Sequence, residues 1–138
     1  MKAEELMVGD WVLVKELDHN DKSKVVSEYK HQISLKDFAE MYNAGGYKQY
    51  DPILLNDEIL EKNGFVKPEG GCYWFLGKNE YANDLLIEKV NYGYIVVTPS
   101  LEDKADHIYH IYLCDLHYVT DLQHCLKNFK INKNIVIQ

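Results

Sequence analysis

The chain has 138 residues, 46% of them hydrophobic, 12% aromatic and 27% charged, with a formal net charge of −7. That length suits one domain with its own core, and the aromatic content is too high for a disordered segment. A surplus of negative charge repels polyanions, so binding to a nucleic-acid backbone or to an anionic membrane surface is disfavoured.

The opening Met1-Lys2-Ala3-Glu4-Glu5 is acidic and lacks the apolar segment of a secretory signal, and no run of about 18 apolar residues occurs anywhere. The expectation is a cytoplasmic protein. Residues 6–15 read as a strand entered through the turn Gly9-Asp10, with Trp11-Val12-Leu13-Val14-Lys15 as its body. A polar turn, 18–23, leads into a second strand, Lys24 to Tyr29, and the two form a hairpin. Ser34 opens a helix. Asp37 stands three residues on as an acidic variant of the capping box, and Ile33 and Phe38 occupy the staple positions. Leu35, Phe38, Ala39 and Tyr42 recur at helical spacing, and Gly45-Gly46 stops the helix. A second, shorter helix has Asn56 as its cap and Leu55 with Leu60 as its staple. Asp57 and Glu58 complement its positive end, and Gly64 terminates it.

Strands follow at Cys72 to Leu76 and Asp84 to Val90, the latter turned by Asn91-Tyr92-Gly93 into Tyr94 to Thr98. Pro99 is expected to end that strand, because proline cannot donate to a ladder. His107 to Leu113 reads as a further strand, with Tyr109, Ile111 and Leu113 on one face and Ile108, His110, Tyr112 and Cys114 on the other. The last helix is expected to start at Thr120, capped by the pair Thr120 and Gln123, and to end near Phe129. Its buried stripe is Leu122, Cys125, Leu126 and Phe129. Ile135-Val136-Ile137 reads as a final edge strand. Hairpins outnumber alternating βα units, which predicts an α+β fold: a mainly antiparallel sheet with two or three helices packed on it, in a single domain over residues 1–138.

Three constellations carry candidate chemistry. His107, His110, Cys114, His117, His124 and Cys125 crowd the last third of the chain. His110, Cys114, His117 and His124 are the candidate metal ligands, since zinc wants four converging donors. The plainer reading is partly exposed histidines and core thiols. The segment Thr120-Asp121-Leu122-Gln123-His124 lacks the first histidine of the HExxH motif, which rules that motif out. Thiol catalysis would pair Cys114 with His117, or Cys125 with His124, but neither sits in a recognisable catalytic frame. The three cysteines, 72, 114 and 125, fit no disulfide framework and are read as reduced thiols.

The third constellation is aromatic. Tyr42, Tyr47 and Tyr50 flank Gly45-Gly46, and Tyr73-Trp74-Phe75 follow Gly70-Gly71. Amphipathic rings beside glycines suit protein interfaces and sugar stacking, though tyrosines are also ordinary half-buried strand residues. The candidate binding residues are therefore Tyr42, Tyr47, Tyr50, Tyr73 and Trp74. No glycine-rich phosphate cradle is present. Lys127, Lys130 and Lys133 are spread through apolar residues as a solvated face. Asp57, Glu58 and Glu61 are explained by the helix dipole and solvation.

Three segments together resemble an uncharacterised small-protein family of gut Bacteroidales and their phages: residues 1–12, residues 51–65, and Tyr118-Val119-Thr120-Asp121-Leu122-Gln123-His124. The family pattern runs ELRIGNWV, then PIPLTEEILLKCGF, then YVHQLQN, and here Thr120 stands in place of its histidine. The resemblance implies a cytosolic protein of a bacterium, mobile element or phage (host cytoplasm if phage-encoded), and it brings no function with it. The leading expectation is a non-enzymatic protein-interaction or accessory protein, whose acidity steers it to basic partner surfaces and which needs no cofactor. The alternatives are a small metal- or thiol-dependent enzyme using residues 107–125, and a small-ligand or glycan-binding module. A pocket lined by Tyr73, Trp74 and polar groups would favour the last.

Overall fold

The computed structural model describes residues 5–43, 46–69, 73–77, 83–101 and 108–137. Along the chain run β1 (Trp11–Leu17), β2 (Val25–Gln32), α1 (Leu35–Asn43), β3 (Lys48–Pro52), α2 (Asp57–Lys62), β4 (Tyr73–Gly77), β5 (Asn83–Val90), β6 (Gly93–Leu101), β7 (Ile108–Leu116) and α3 (Val119–Asn128). Among the described residues every strand pairing is antiparallel, so the α+β class with antiparallel sheets holds. Contacts gather into two compact units. One takes in the described residues to Leu54, Tyr118–His124 and Ile137. The other takes in Leu55–His117 and Cys125–Val136.

The first unit is a three-stranded sheet in the order β2-β1-β3. Alternation on β1 turns Val12 and Val14 inward, where they meet Leu6, Ile33 and Tyr50, with Phe38 and Met41 of α1 packed against them. Gly9 (φ 95°) makes the entry turn, and paired bonds from Gly9 N to Ile33 O and from Ile33 N to Asp10 O, both 2.8 Å, lock it beside β2. The α1 cap forms as expected. Ser34 N donates to Asp37 Oδ2 at 2.6 Å, and Asp37 N donates back to Ser34 Oγ at 3.4 Å. The inward face of α1 differs from the expected stripe. Leu35, at the first position, is 77% exposed, and Phe38 and Met41 do the packing. Strand β3 was not legible in the sequence, because only Tyr50 of Lys48–Pro52 is apolar and buried; its register against β1 is fixed with help from the Lys15–Asp51 ion pair at 2.9 Å.

The second unit is a meander, β4-β5-β6-β7. Helix α2 is capped as read. Asn56 Oδ1 accepts from Ile59 N at 2.8 Å, Leu60 is fully buried, and Gly64 (φ 86°) ends the turn. Pro99 does not end its strand. β6 continues to Leu101 and pairs Pro99 with His110 of β7. Pairing with β5 stops at Val97, so among the described residues this stretch of β6 has a ladder on one side only, where a missing N–H is tolerable. The expected alternation on β7 breaks at a register shift opposite Val96/Val97, and Ile111, Tyr112 and Leu113 are all exposed. No final strand forms at 135–137. Ile135 and Ile137 are buried and Val136 is exposed, but the partner of this segment is a side chain. Asn63 Oδ1 accepts from Val136 N at 2.7 Å, and Asn63 Nδ2 donates to Val136 O at 3.0 Å, so one carboxamide imitates a strand neighbour.

Helix α3 starts at Val119, one residue before the expected Thr120. The reciprocal cap is made by Asp121, whose Oδ2 accepts from Tyr118 N at 2.8 Å, and Gln123 is released for use elsewhere. Leu122, Cys125 and Leu126 are buried as expected, whereas Phe129, just past the helix end, is 47% exposed. No described helix is long and apolar enough to cross a membrane.

Candidate functional site

Two features hold polar groups in positions that packing alone does not require. The first lies in the unit built on β1. Asp10 is fully buried, and its Oδ2 accepts from Met7 N at 2.7 Å and meets His124 Nε2 at 2.7 Å. Beside it, Gln123 spans the backbone of the entry turn. Its Oε1 accepts from Trp11 N at 2.8 Å, and its Nε2 donates to Gly9 O at 2.9 Å. Gln32 Nε2 donates to the same carbonyl at 2.9 Å. Asp10 Oδ1 is buried without a partner. An aspartate that fixes an imidazole is the orienting half of a general base, but a base also needs a substrate site beside it. Asp10 and His124 line neither of the clefts described next. The arrangement ties the turn before β1 to α3. Its residues are 114 positions apart, and nothing in the sequence signals the pairing.

Also in this unit, a cleft of ≈ 450 Å³ is lined by Glu16, His19, Tyr47 and Lys48 among others. The His19 and Tyr47 rings lie 4.1 Å apart, and Lys22 Nζ stands 5.0 Å from the Tyr47 ring. Tyr47 thus already has ring and cation contacts within the unit. Tyr50 is a core residue at 9% exposure, and Tyr42 sits on α1 with its side chain outside the described residues.

The second unit carries a cleft of ≈ 510 Å³ lined by Asp57, Glu61, Phe65, Lys67 and Trp74, with Gly64 and Val66. Its walls are fixed by backbone bonds. Phe65 N donates to Leu60 O at 3.0 Å, and Val66 and Phe75 exchange two bonds of 2.9 Å. Asp57 and Glu61 stand four residues apart, on one face of α2. Lys89 Nζ donates to Asp57 Oδ2 at 2.8 Å, and the Tyr94 hydroxyl donates to Oδ1. The Lys89 bond first, and the Tyr94 bond second, hold the Asp57 carboxyl below its usual range, and the charge of Lys67 adds to this. Burial, then the neighbouring carboxylate, pushes the Tyr94 phenol well above its usual range.

Trp74 forms the other wall. It is 5% exposed, and its Nε1 is buried with no hydrogen-bond acceptor among the described residues. Lys67 Nζ lies 5.6 Å from the centre of the indole. Tyr73 is not part of this cleft. As the next residue on β4 it faces the other way and packs against Phe75, Leu86 and Val97. The sequence singled out Trp74 but missed its neighbours. Asp57 and Glu61 had an adequate explanation in the dipole, and Lys67 carried no signal.

The metal and thiol candidates are placed as follows. His124 meets Asp10. His117 packs beside Tyr92, with ring centres 6.1 Å apart, and close over Gly93, where an added Cβ would come within 3.2 Å of Nδ1. Cys125 is buried and its thiol is pushed up to about 12, by burial first and then by the nearby Cys114, so it is protonated at neutral pH. The side chain of His110, together with His107 and Cys72, lies outside the described residues. Among the described residues, no three His, Cys, Asp or Glu side chains group so as to hold a metal ion.

Compared with protein-family models, with curated proteins and with solved structures, the chain matches none of them.

Proposed function

We propose that this is a non-enzymatic protein-interaction module, an accessory protein of a bacterium, mobile element or phage acting in the cytoplasm, and that it holds a segment of its partner in the Trp74 cleft. The observation that carries this reading is the Trp74 indole N–H. It is buried without an acceptor among the described residues, on a side chain that lines an open cleft, and a buried donor left unmade costs about 1–3 kcal/mol. A polypeptide supplies what is lacking, because every residue of an extended chain carries a carbonyl acceptor. The thiol chemistry that an enzyme would draw from residues 107–125 has little support in Cys125, which stays protonated at neutral pH.

A second reading has an observation in its favour. An indole wall with carboxylates nearby also suits a sugar, which stacks on the ring and hydrogen-bonds to the acids. The experiment that separates the two follows the indole 15N–1H resonance of Trp74, assigned with Trp74→Phe. The titrants are unstructured peptides of acidic, neutral and basic composition and a neutral oligosaccharide. Movement of that resonance with a peptide, while that of Trp11 stays still, supports the module. Movement with the oligosaccharide alone replaces it by the glycan reading. A resonance that no titrant moves sinks both.

A further inference from the structure

The cleft already contains a cation. Lys67 places its ammonium within the roughly 6 Å at which a cation is attracted to an indole face. The same ammonium is near enough to Asp57 to help keep that carboxylate ionised. It reaches this position from an exposed residue between Val66, which is bonded to β4, and Pro68. Only the flexible stem of the side chain holds it there, so it can leave without any change in the backbone.

On the reading of the cleft as a protein-binding site, we infer that it accepts a lysine or arginine side chain of the partner, and that Lys67 is the resident occupant which that side chain displaces. The roles divide among the lining residues. Trp74 offers its face to the incoming charge. Asp57 is engaged by Lys89 and Tyr94, so it contributes its field and its fixed position. Glu61, exposed one turn further along α2, is the carboxylate placed to pair with the newcomer. Nε1 of the same indole is buried and has no acceptor among the described residues. Exchange of Lys67 for a partner side chain brings that partner's main-chain carbonyls to the same wall. A neutral or acidic side chain that displaced Lys67 would leave the Asp57 and Glu61 face of α2 with one cation fewer, so charge selects the ligand.

The test uses the full chain and calorimetric titration with peptides of equal length built on lysine, arginine, glycine-serine or glutamate. The expected result is binding of the lysine and arginine peptides only. Lys67→Ala tightens it about threefold, because the competitor is gone. Glu61→Gln weakens it, and Trp74→Phe, which alters no charge, weakens it about tenfold. Equal binding of glycine-serine or glutamate peptides overturns the inference on charge while leaving the interaction module standing. Unchanged or weaker binding by Lys67→Ala overturns the displacement. Basic peptides that bind Trp74→Phe and Glu61→Gln as well as the parent show only attraction to an acidic surface, and overturn the site. Absence of binding by every peptide fails the module itself, and the inference with it.

Discussion

Asp10 and Trp74 share a defect and differ in everything around it. Each has one buried polar atom without a partner, Oδ1 in the first case and Nε1 in the second. The other oxygen of Asp10 has two partners and the residue has no exposed surface, so its deficiency is one unused carboxylate oxygen inside an otherwise hydrogen-bonded knot. Acceptors left partly unused are the common and tolerated kind. The indole of Trp74 has a single donor and nothing to give it to, and it lines a cleft with room for a ligand. An unsatisfied atom therefore points to binding only where space and complementary charge accompany it. Elsewhere it is a by-product of holding the chain together.

This contrast makes stability and binding separable. The largest effect on stability is expected from Asp10→Ala, which leaves Met7 N and His124 without their acceptor. A loss of about 3 kcal/mol, at the low end for breaking a buried pair because His124 is partly exposed, would appear as a lowered urea midpoint. Peptide binding at Trp74 should persist wherever Asp10→Ala is folded; loss of binding in folded protein would erase the distinction between the two features. Gln123→Ala is next, at about 2 kcal/mol by the same measurement, since two backbone groups of the entry turn lose their partner. A change within a few tenths would mean that water replaces the carboxamide.

Trp74→Phe should cost no more than about 1 kcal/mol, as the lost ring contacts are offset by removal of an unsatisfied donor, while its effect on binding is large. A destabilisation as great as that of Asp10→Ala would make Trp74 a core residue first and a binding residue second. The smallest effect concerns pH. The Asp57 carboxyl is depressed in the folded chain, so its contribution is present above the ordinary value of 3.8 and is lost as pH falls through the lower folded value. Asp57→Asn should accordingly show a shallower loss of stability below about pH 4 in denaturant midpoints. Asp37 titrates on the same acid limb. Burial opposes its ionisation, but hydrogen bonds from Ser34 and His31 outweigh that, so the limb is reduced by Asp57→Asn and not removed.

Legibility followed the range of the interaction. The caps of α1 and α2 and the Asn91-Tyr92-Gly93 hairpin turn are decided by residues within about one turn of each other, and the structure has them as expected; of the stripe expected on α3, Leu122, Cys125 and Leu126 are buried and Phe129 is not. The structure departs from expectation where a remote group changes the bonding. Gln123 is expected in a local cap but serves residues 9 and 11. Ile135-Val136-Ile137 had the alternation of a strand, but Asn63 completed it. Pro99 was read as a stop because its one-sided ladder could not be foreseen. The candidate site divides in the same way. Trp74 was marked by its type. Tyr73 is singled out with it although the two rings point to opposite faces of β4, Glu61 is explained there by the helix dipole alone, and Lys67 carries no signal.

By itself, the order of residues determined the class of fold, the strands of the meander and the starts of two helices, because propensity, patterning and capping act between near neighbours. Only the tertiary structure decided which polar groups would be saturated and which left wanting. Whether Asp10 meets His124, or an indole N–H is left facing no acceptor beside two carboxylates and a lysine, depends on surfaces brought together from distant parts of the chain. Satisfaction of a buried polar group is a property of its surroundings, and no local pattern records it.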